Sequence, residues 1–112
     1  MGVTVVETEI YRRKAARLLS ESERSDFCAH LLENPEGHDV IPGLGGLRKA
    51  RWSQKSRGKG KRGGVRIIYF LALSAELVLL LDVYSKNEKE DLTNGDKKLL
   101  RQRLEKIKDS LS

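Results

Sequence analysis

Basic side chains are concentrated in one stretch of this sequence, between Arg48 and Arg66. The stretch holds nine Lys and Arg residues and no Asp or Glu, whereas the rest of the 112-residue chain holds 13 basic and 16 acidic residues. Such clustered positive charge favours a polyanion as partner, because phosphate contacts release bound counterions and thereby supply affinity. The alternative is a solvated loop without a partner. This is the weaker interpretation, because no acidic residue interrupts the nine positive charges.

Three cations of this stretch and one that follows it are expected to converge on one surface of a sheet. Period-two alternation in a short basic strand places Lys49 and Arg51 on the same face. Arg66 begins the next apolar strand and can lie beside Arg51 if the two strands pair. Lys86 and Asn87 follow the last strand, at a sheet end. Composition alone is equally compatible with ordinary exposed charges on an antiparallel sheet.

A cluster of cations can support RNA cleavage without histidine. Attack by the 2′-hydroxyl requires removal of its proton, stabilisation of a pentacovalent phosphorane and protonation of the leaving 5′-oxygen. Lys and Arg stabilise the developing charge, and a Lys whose pKa is lowered by neighbouring cations can act as a base. Tyr69 or Tyr84 can stack on a base or donate a proton, although packing is the expected role of Tyr69.

Other candidate motifs in the sequence are weaker. The segment Gly43–Gly46 precedes a strand and lacks the lysine–serine ending of a phosphate-binding loop, which favours a tight turn. A single cysteine, Cys28, excludes an internal disulfide framework and a cysteine-rich zinc site. His30 and His38 leave little material for a metal site or a catalytic triad. We therefore expect neither a metal nor another cofactor.

The first third of the chain must supply a strand and two helices. The β-branched segment Val3–Val6 is typical of a strand, and Thr8 is placed to cap the helix that follows it. Ser20 and Glu23 form a capping box at the start of a second helix, which ends at Asn34-Pro35. Because almost no linker separates the two helices, they are expected to form a helical hairpin.

The remainder supplies the strands that carry the cations. The predicted strands are Leu47–Trp52, Val65–Leu71 and Leu77–Tyr84. The glycine-rich, basic connection Gln54–Gly64 is expected to be a mobile loop, and Asn94 is a candidate cap for a C-terminal helix. Runs of strands beside runs of helices indicate one α+β domain over residues 1–112, with a mainly antiparallel sheet.

Hydropathy and the N-terminal sequence bear on location. No apolar run approaches the roughly 20 residues that span a bilayer. The N-terminus, MGVTVVETEIY, has the pattern of neither a signal peptide nor a transit peptide. With one cysteine, these features lead us to expect a cytoplasmic protein that does not contact a membrane.

The motifs of the basic region resemble those of a known family. The stretch GLGGLRKARWSQKSRGKGKRGGVRIIYF, followed by LLLDVYSKNEKEDLT, resembles the RelE/HigB-like toxins of bacterial type II toxin–antitoxin pairs. Within them it is similar to the HigB branch, which carries an R-K-x-R strand, a GGxRxIYY-type strand and a Y-[AS]-K-N-E-x-[ED]-D-L ending. The match covers about Pro35 to Thr93. It implies a fold related to microbial ribonucleases, with an N-terminal strand and helical hairpin, a three-stranded antiparallel meander and a C-terminal helix.

The resemblance also implies roles for individual residues. The catalytic strand pair of the family falls on Lys49 and Arg51, and the arginine at the scissile phosphate falls on Arg66. The residue after the last strand falls on Lys86, with Asn87 as the alternative if the alignment slips by one. The tyrosine that many RelE-type toxins carry near the end of the motif has no counterpart here. The further residues expected to bind RNA are Arg48, Lys55, Arg57, Lys59, Lys61, Arg62, Tyr84 and Asn87.

The family's activity and partners follow from the same resemblance. Its members cleave mRNA, typically in the ribosomal A site, without a metal, and a cognate antitoxin holds them inactive. We expect a helix-turn-helix antitoxin as partner, contact with operator DNA only through that antitoxin, and a toxin that is monomeric by itself. Two alternatives use the same basic surface or the same fold: a non-catalytic RNA- or ribosome-binding module, and an inactive toxin-fold protein that binds only its antitoxin.

Overall fold

The computed structural model describes residues 2–60 and 63–111. The helices are α1 (Glu9–Leu18), α2 (Glu21–Glu33) and α3 (Asn94–Leu111). The strands are β1 (Thr4–Glu7), β2 (Asp39–Val40), β3 (Leu47–Trp52), β4 (Val65–Ala72) and β5 (Leu77–Ser85). This order confirms the α+β class, the N-terminal strand, the meander of three consecutive strands and the C-terminal helix.

The strands form one mixed sheet in the order β1-β5-β4-β3-β2. The β3, β4 and β5 strands pair antiparallel, as predicted, and β1 lies parallel to β5 at one edge. The short β2 strand, which the sequence pattern did not predict, pairs antiparallel with β3 at the other edge and sets Asp39 opposite Lys49. The catalytic candidates therefore lie on central and near-edge strands.

The helical hairpin covers one face of the sheet. Both predicted caps are present: Thr8 accepts a hydrogen bond from the Tyr11 N–H, and Ser20 and Glu23 form a reciprocal capping box. These caps satisfy amide groups that would otherwise be left unpaired at the helix starts. The buried side chains on this face are Tyr11, Ala15, Leu18, Leu19, Phe27, Leu31, Ala50, Val65, Ile67, Tyr69, Val78, Leu80 and Val83.

The opposite face packs against α3 and the loop before β3. Its buried side chains are Ile41, Leu44, Leu47, Ile68, Ala72, Leu79, Leu81, Tyr84, Leu92, Leu100 and Leu104. The predicted cap of α3 was wrong by one residue. Thr93 Oγ1 accepts the Asp96 N–H at 3.0 Å, and Asp96 Oδ2 accepts the Thr93 N–H at 2.9 Å. Asn94 is already the first residue of the helix.

The predicted mobile loop between β3 and β4 is anchored to the helical hairpin in its first half. Gln54 is only 1% exposed, and its side-chain amide donates to the Leu18 carbonyl at 2.8 Å. The Ser56 N–H donates to the carboxylate of Glu23 at 3.0 Å. Burial by itself would raise the pKa of Glu23, but hydrogen bonds from Ser20 and Ser56 lower it below its ordinary value. These hydrogen bonds tie the first half of the connection to the hairpin, and composition does not reveal them because their partners lie on distant helices. The expected mobility of the loop stays a prediction.

A tight turn leads into β3. Gly43, Gly45 and Gly46 all have positive φ, which only glycine adopts without strain, so the predicted tight turn before β3 is confirmed.

Within residues 2–60 and 63–111, no helix is long and apolar enough to span a membrane.

Candidate active site

Two arginines and a tyrosine form a row across the three central strands. Arg51 of β3 lies directly opposite Arg66 of β4, and Arg66 lies directly opposite Tyr84 of β5. Residues opposite each other in a ladder project from the same face, so all three belong to the face that α3 covers in part. The expectation that Arg66 lies beside Arg51 is confirmed.

Arg66 is the buried member of this row. It is 5% exposed, and its Nη1 donates to the Val65 carbonyl oxygen at 3.2 Å. Burial lowers the pKa of Arg66, the neighbouring Arg51 lowers it further, and Tyr84 and Asp91 oppose these effects. Because a guanidinium stays charged at neutral pH, the site holds a fixed positive charge out of bulk water. Arg51, beside it, is exposed.

Lys49 lies on the same face as Arg51, two residues before it, and is held by a carboxylate. Its Nζ is 3.2 Å from Asp91 Oδ1, in the loop that leads into α3. The Leu92 N–H donates to the same oxygen at 2.8 Å. This hydrogen bond, and to a smaller extent the Lys49 ammonium, keeps the pKa of Asp91 below its ordinary value. An ion pair this exposed contributes roughly 0–1 kcal/mol, so a phosphate can replace the carboxylate at little cost. The sequence analysis did not identify Asp91 as part of the site.

Tyr84 is buried at the other end of the row. It is 3% exposed, and its hydroxyl has no hydrogen-bond partner among the described residues. Burial raises the pKa of Tyr84 to about 12, with a further contribution from Asp91. The Lys89 ammonium lies 5.4 Å from the centre of the ring. Little of the ring is therefore accessible for stacking on a base in this conformation, and its predicted contact with RNA stays a prediction.

Lys86 lies at the same end of the sheet as Arg66. Its backbone N–H donates to the Gly64 carbonyl at 3.0 Å, just beyond the paired residues Val65 and Ser85. Gly64 is required there, because a Cβ at this position would lie 2.1 Å from the Trp52 carbonyl oxygen. Asn87 is exposed and follows in the turn. The backbone thus places Lys86 at the end of the sheet, as expected, and its role as the fourth cation of the site stays a prediction.

The other predicted RNA-binding residues are not part of this row. Arg48 is on the opposite face of β3, where its Nη1 donates to the His38 carbonyl at 2.8 Å and to the Glu36 carbonyl at 3.2 Å. Arg57 donates to the Arg17 carbonyl at 2.6 Å, on the side of the helical hairpin. Lys55 and Lys59 lie in the same connection. Lys61 and Arg62 lie outside the described residues.

The two histidines are also on the hairpin side. Their Nε2 atoms are 2.7 Å apart, and the ring of His30 lies 5.2 Å from that of Trp52. Neither histidine is therefore placed to act on a phosphate bound by the arginines. Among residues 2–60 and 63–111, no group of three His, Cys, Asp or Glu side chains is arranged to hold a metal ion.

Two clefts differ in their relation to this row. The larger, of 850 Å³, lies between β1 and α2 and contains none of the predicted catalytic residues. The smaller, of 520 Å³, is lined by Lys49 and Asp91 together with residues of β2 and of the first turn of α3. The smaller cleft is thus the one that adjoins the cations.

Comparison with solved structures decides the fold. An isolated E. coli RelE toxin in the free state, with two arginines replaced by alanine, is 17% identical with a TM-score of 0.58, and the match covers 80% of this chain and 90% of that one. The chain has a RelE-like toxin fold. The intact E. coli RelBE toxin–antitoxin complex matches at 16% identity and a TM-score of 0.56, over 72% of this chain and 93% of that one.

A further crystal structure of isolated E. coli RelE matches over 89% of this chain and 97% of that one, at 14% identity and a TM-score of 0.56. No family model matches the chain. At these identities the similarity concerns the RelE-like fold alone. The closer resemblance to the HigB branch and the roles of the individual residues stay predictions.

Proposed function

We propose that the chain is the toxin of a type II toxin–antitoxin system and inhibits translation by cleaving mRNA on the ribosome. The observation that carries this proposal is the pair of adjacent arginines, one buried and one exposed, with Lys49 on the same face of a RelE-like sheet. Fixed charges beside a solvent-accessible surface suit stabilisation of a phosphorane. The domain would comprise residues 1–112 and act in the cytoplasm.

The reaction is a transesterification, in which the phosphoryl group passes from the 5′-oxygen of the next nucleotide to the neighbouring 2′-hydroxyl. The 2′-oxygen attacks phosphorus as its proton passes to a base, the bond to the 5′-oxygen breaks, and that oxygen receives a proton. A 2′,3′-cyclic phosphate and a 5′-hydroxyl result. Arg66 and Arg51 bind the non-bridging oxygens and neutralise the charge that increases in the transition state. These roles need no metal ion.

Proton transfer is assigned to the two lysines. Lys49, held 3.2 Å from the Asp91 carboxylate, is assigned the donation of a proton to the leaving oxygen. Lys86, at the end of β5, is then the candidate for the base. Tyr84 supports the row from within the core, since its hydroxyl is buried.

The partners are proposed from the charge distribution and the shared fold. Cations of the β3–β4 connection contact ribosomal RNA, which supplies affinity through counterion release without requiring fine geometry. The E. coli RelBE structure is a toxin–antitoxin complex, which supports a cognate antitoxin here, proposed to be of the helix-turn-helix type. Of the two possible binding surfaces, the cationic row and the helical hairpin, we favour the row, because covering it neutralises the exposed charge.

A second function, binding of RNA or ribosomes without cleavage, is favoured by one specific observation. Lys49 is engaged by a carboxylate, and the hydroxyl of Tyr84 is buried. In the free chain, the lysine of β3 that could donate a proton is therefore paired with a carboxylate, and the tyrosine hydroxyl of the row is not accessible to a substrate. A binding module would need only the positive charge.

Expression of the chain alone tests the proposal and separates the two functions. We expect growth arrest and new mRNA 5′ ends within translated frames, and no such ends when initiation is blocked. Arg101→Ala, which removes an exposed arginine from α3, is the matched control and should retain full toxicity. Growth arrest with intact mRNA would support the binding module, and normal growth at equal expression would contradict both functions.

A further inference from the structure

The smaller cleft adjoins the catalytic candidates, and apart from Lys49 its lining residues have no role in the proposed proton transfers. It lies where β2 meets the loop that leads into α3, and Lys49 and Asp91 are among its lining residues. Its volume of 520 Å³ falls within the range of about 300–1,000 Å³ that is usual for small-molecule sites. A nucleotide whose phosphate is bound by the arginines would have this cleft within reach.

One wall of the cleft is apolar and accessible. The exposed Pro42 and the neighbouring Ile41 line it. Exposed apolar side chains beside charged ones are a surface on which a flat heteroaromatic ring can pack, since a base presents a π-face whatever its edge. The wall therefore suits a base better than a sugar–phosphate backbone.

The polar groups of the cleft restrict which edge of a base it can bind. Asp91 is engaged by Lys49 at 3.2 Å and by the Leu92 N–H at 2.8 Å. The Asp39 side chain, set opposite Lys49 in the β2–β3 ladder, has no hydrogen bond or ion pair with any residue of the described ranges. An ionised carboxylate only accepts hydrogen bonds, so Asp39 repels phosphate oxygens and requires a donor. Lys97 adds a donor in the first turn of α3.

We propose that this cleft binds one nucleobase of the RNA, and that Asp39 selects a base with an exocyclic amino group. Adenine, cytosine and guanine carry such a group; in adenine and cytosine it lies beside an acceptor nitrogen, which matches a cleft lined by both the Asp39 carboxylate and the Lys97 ammonium. Uracil presents two carbonyl oxygens and one ring N–H, so at least one carbonyl faces the carboxylate. Identification of the ligand as RNA rests on the proposed function, and the selection by Asp39 is a separate claim about this cleft.

Binding of non-cleavable oligonucleotides tests the proposal independently of catalysis. The probes are fluorescent 2′-O-methyl tetranucleotides of adenosine, cytidine or uridine, which lack the attacking hydroxyl. Titrated against the full chain, the adenosine and cytidine probes should bind about tenfold more tightly than the uridine probe. Amide resonances of Val40, Ile41 and Lys97 should shift with them. Asp39→Asn should remove most of this difference, whereas Glu36→Gln, which removes a nearby carboxylate outside the cleft, should preserve it.

Each result separates the cleft from the cleavage reaction. Equal affinity for the three probes, no binding, or shifts confined to residues outside the cleft would overturn the selection by Asp39, even if the chain cleaves mRNA. Retention of the full preference in Asp39→Asn would also overturn it. A preference that depends on Asp39, in a chain that does not cleave mRNA, would support the cleft and contradict the proposed enzyme.

Discussion

Removal of the buried arginine should impair cleavage far more than removal of its exposed neighbour. Arg66 is 5% exposed, so the extra negative charge that the phosphorane gains over the phosphodiester, about 4 Å away, would interact with it at an effective dielectric constant near 20, which corresponds to about 4 kcal/mol of transition-state stabilisation. Since about 1.4 kcal/mol is a factor of ten in rate, Arg66→Ala should lose on the order of 10³ in cleavage rate. Partial compensation by Arg51 would reduce the loss toward 10². Arg51 is exposed and better screened, so Arg51→Ala should lose about tenfold or less.

The assay is single-turnover cleavage of a defined mRNA on programmed ribosomes, with saturating enzyme so that binding does not limit the rate. Arg66→Lys should recover part of the activity, because it keeps the charge but not the planar fork of donors. Thermal unfolding and circular dichroism verify that each variant is folded. If Arg51→Ala were as damaging as Arg66→Ala, burial would not determine the strength of these charges and the reasoning would fail.

Three further predictions concern stability and binding. Glu23→Gln should lower the melting temperature at pH 7 but not near pH 2. The pKa of Glu23 in the folded state lies below its ordinary 4.5, so the stabilisation by the ionised carboxylate is lost as the pH falls through that pKa. Equal melting temperatures of the variant and the parent chain at pH 7 would contradict this. Gly64→Ala should destabilise the fold by about 2 kcal/mol or more in chemical denaturation, because its Cβ would overlap a backbone carbonyl of β3. Gly60→Ala, whose Cβ meets nothing within 4 Å, is the control and should change little. Joint replacement of Lys55 and Lys59 by alanine should weaken ribosome binding and flatten its dependence on salt; an unchanged salt titration would mean that these lysines only face solvent.

Much of the fold could be predicted from signals that act between near neighbours. The capping box at Ser20 and Glu23 and the cap at Thr8 are formed as predicted, because the donor and acceptor lie within three residues of each other. The alternation that places Lys49 and Arg51 on one face is a property of any extended strand. The pairing of Arg51 with Arg66 followed from joining two consecutive strands into a hairpin.

Other features depended on which elements pack together, and local patterns do not contain that information. The contact between Lys49 and Asp91 joins residues 42 positions apart, and it exists because the loop before α3 folds back over β3. The two-residue β2 strand is too short to give a periodic signal, yet it supplies one wall of the cleft beside Lys49.

The sequence by itself thus determined the element types, the strand faces and the clustering of positive charge. Tertiary structure alone decided that Arg66 is buried while Arg51 is exposed, that the hydroxyl of Tyr84 is enclosed, and that Gln54 anchors the basic connection to the hairpin. The physical reason is that alternation along a strand fixes the direction of a side chain, whereas its exposure and its partners depend on what packs over that face.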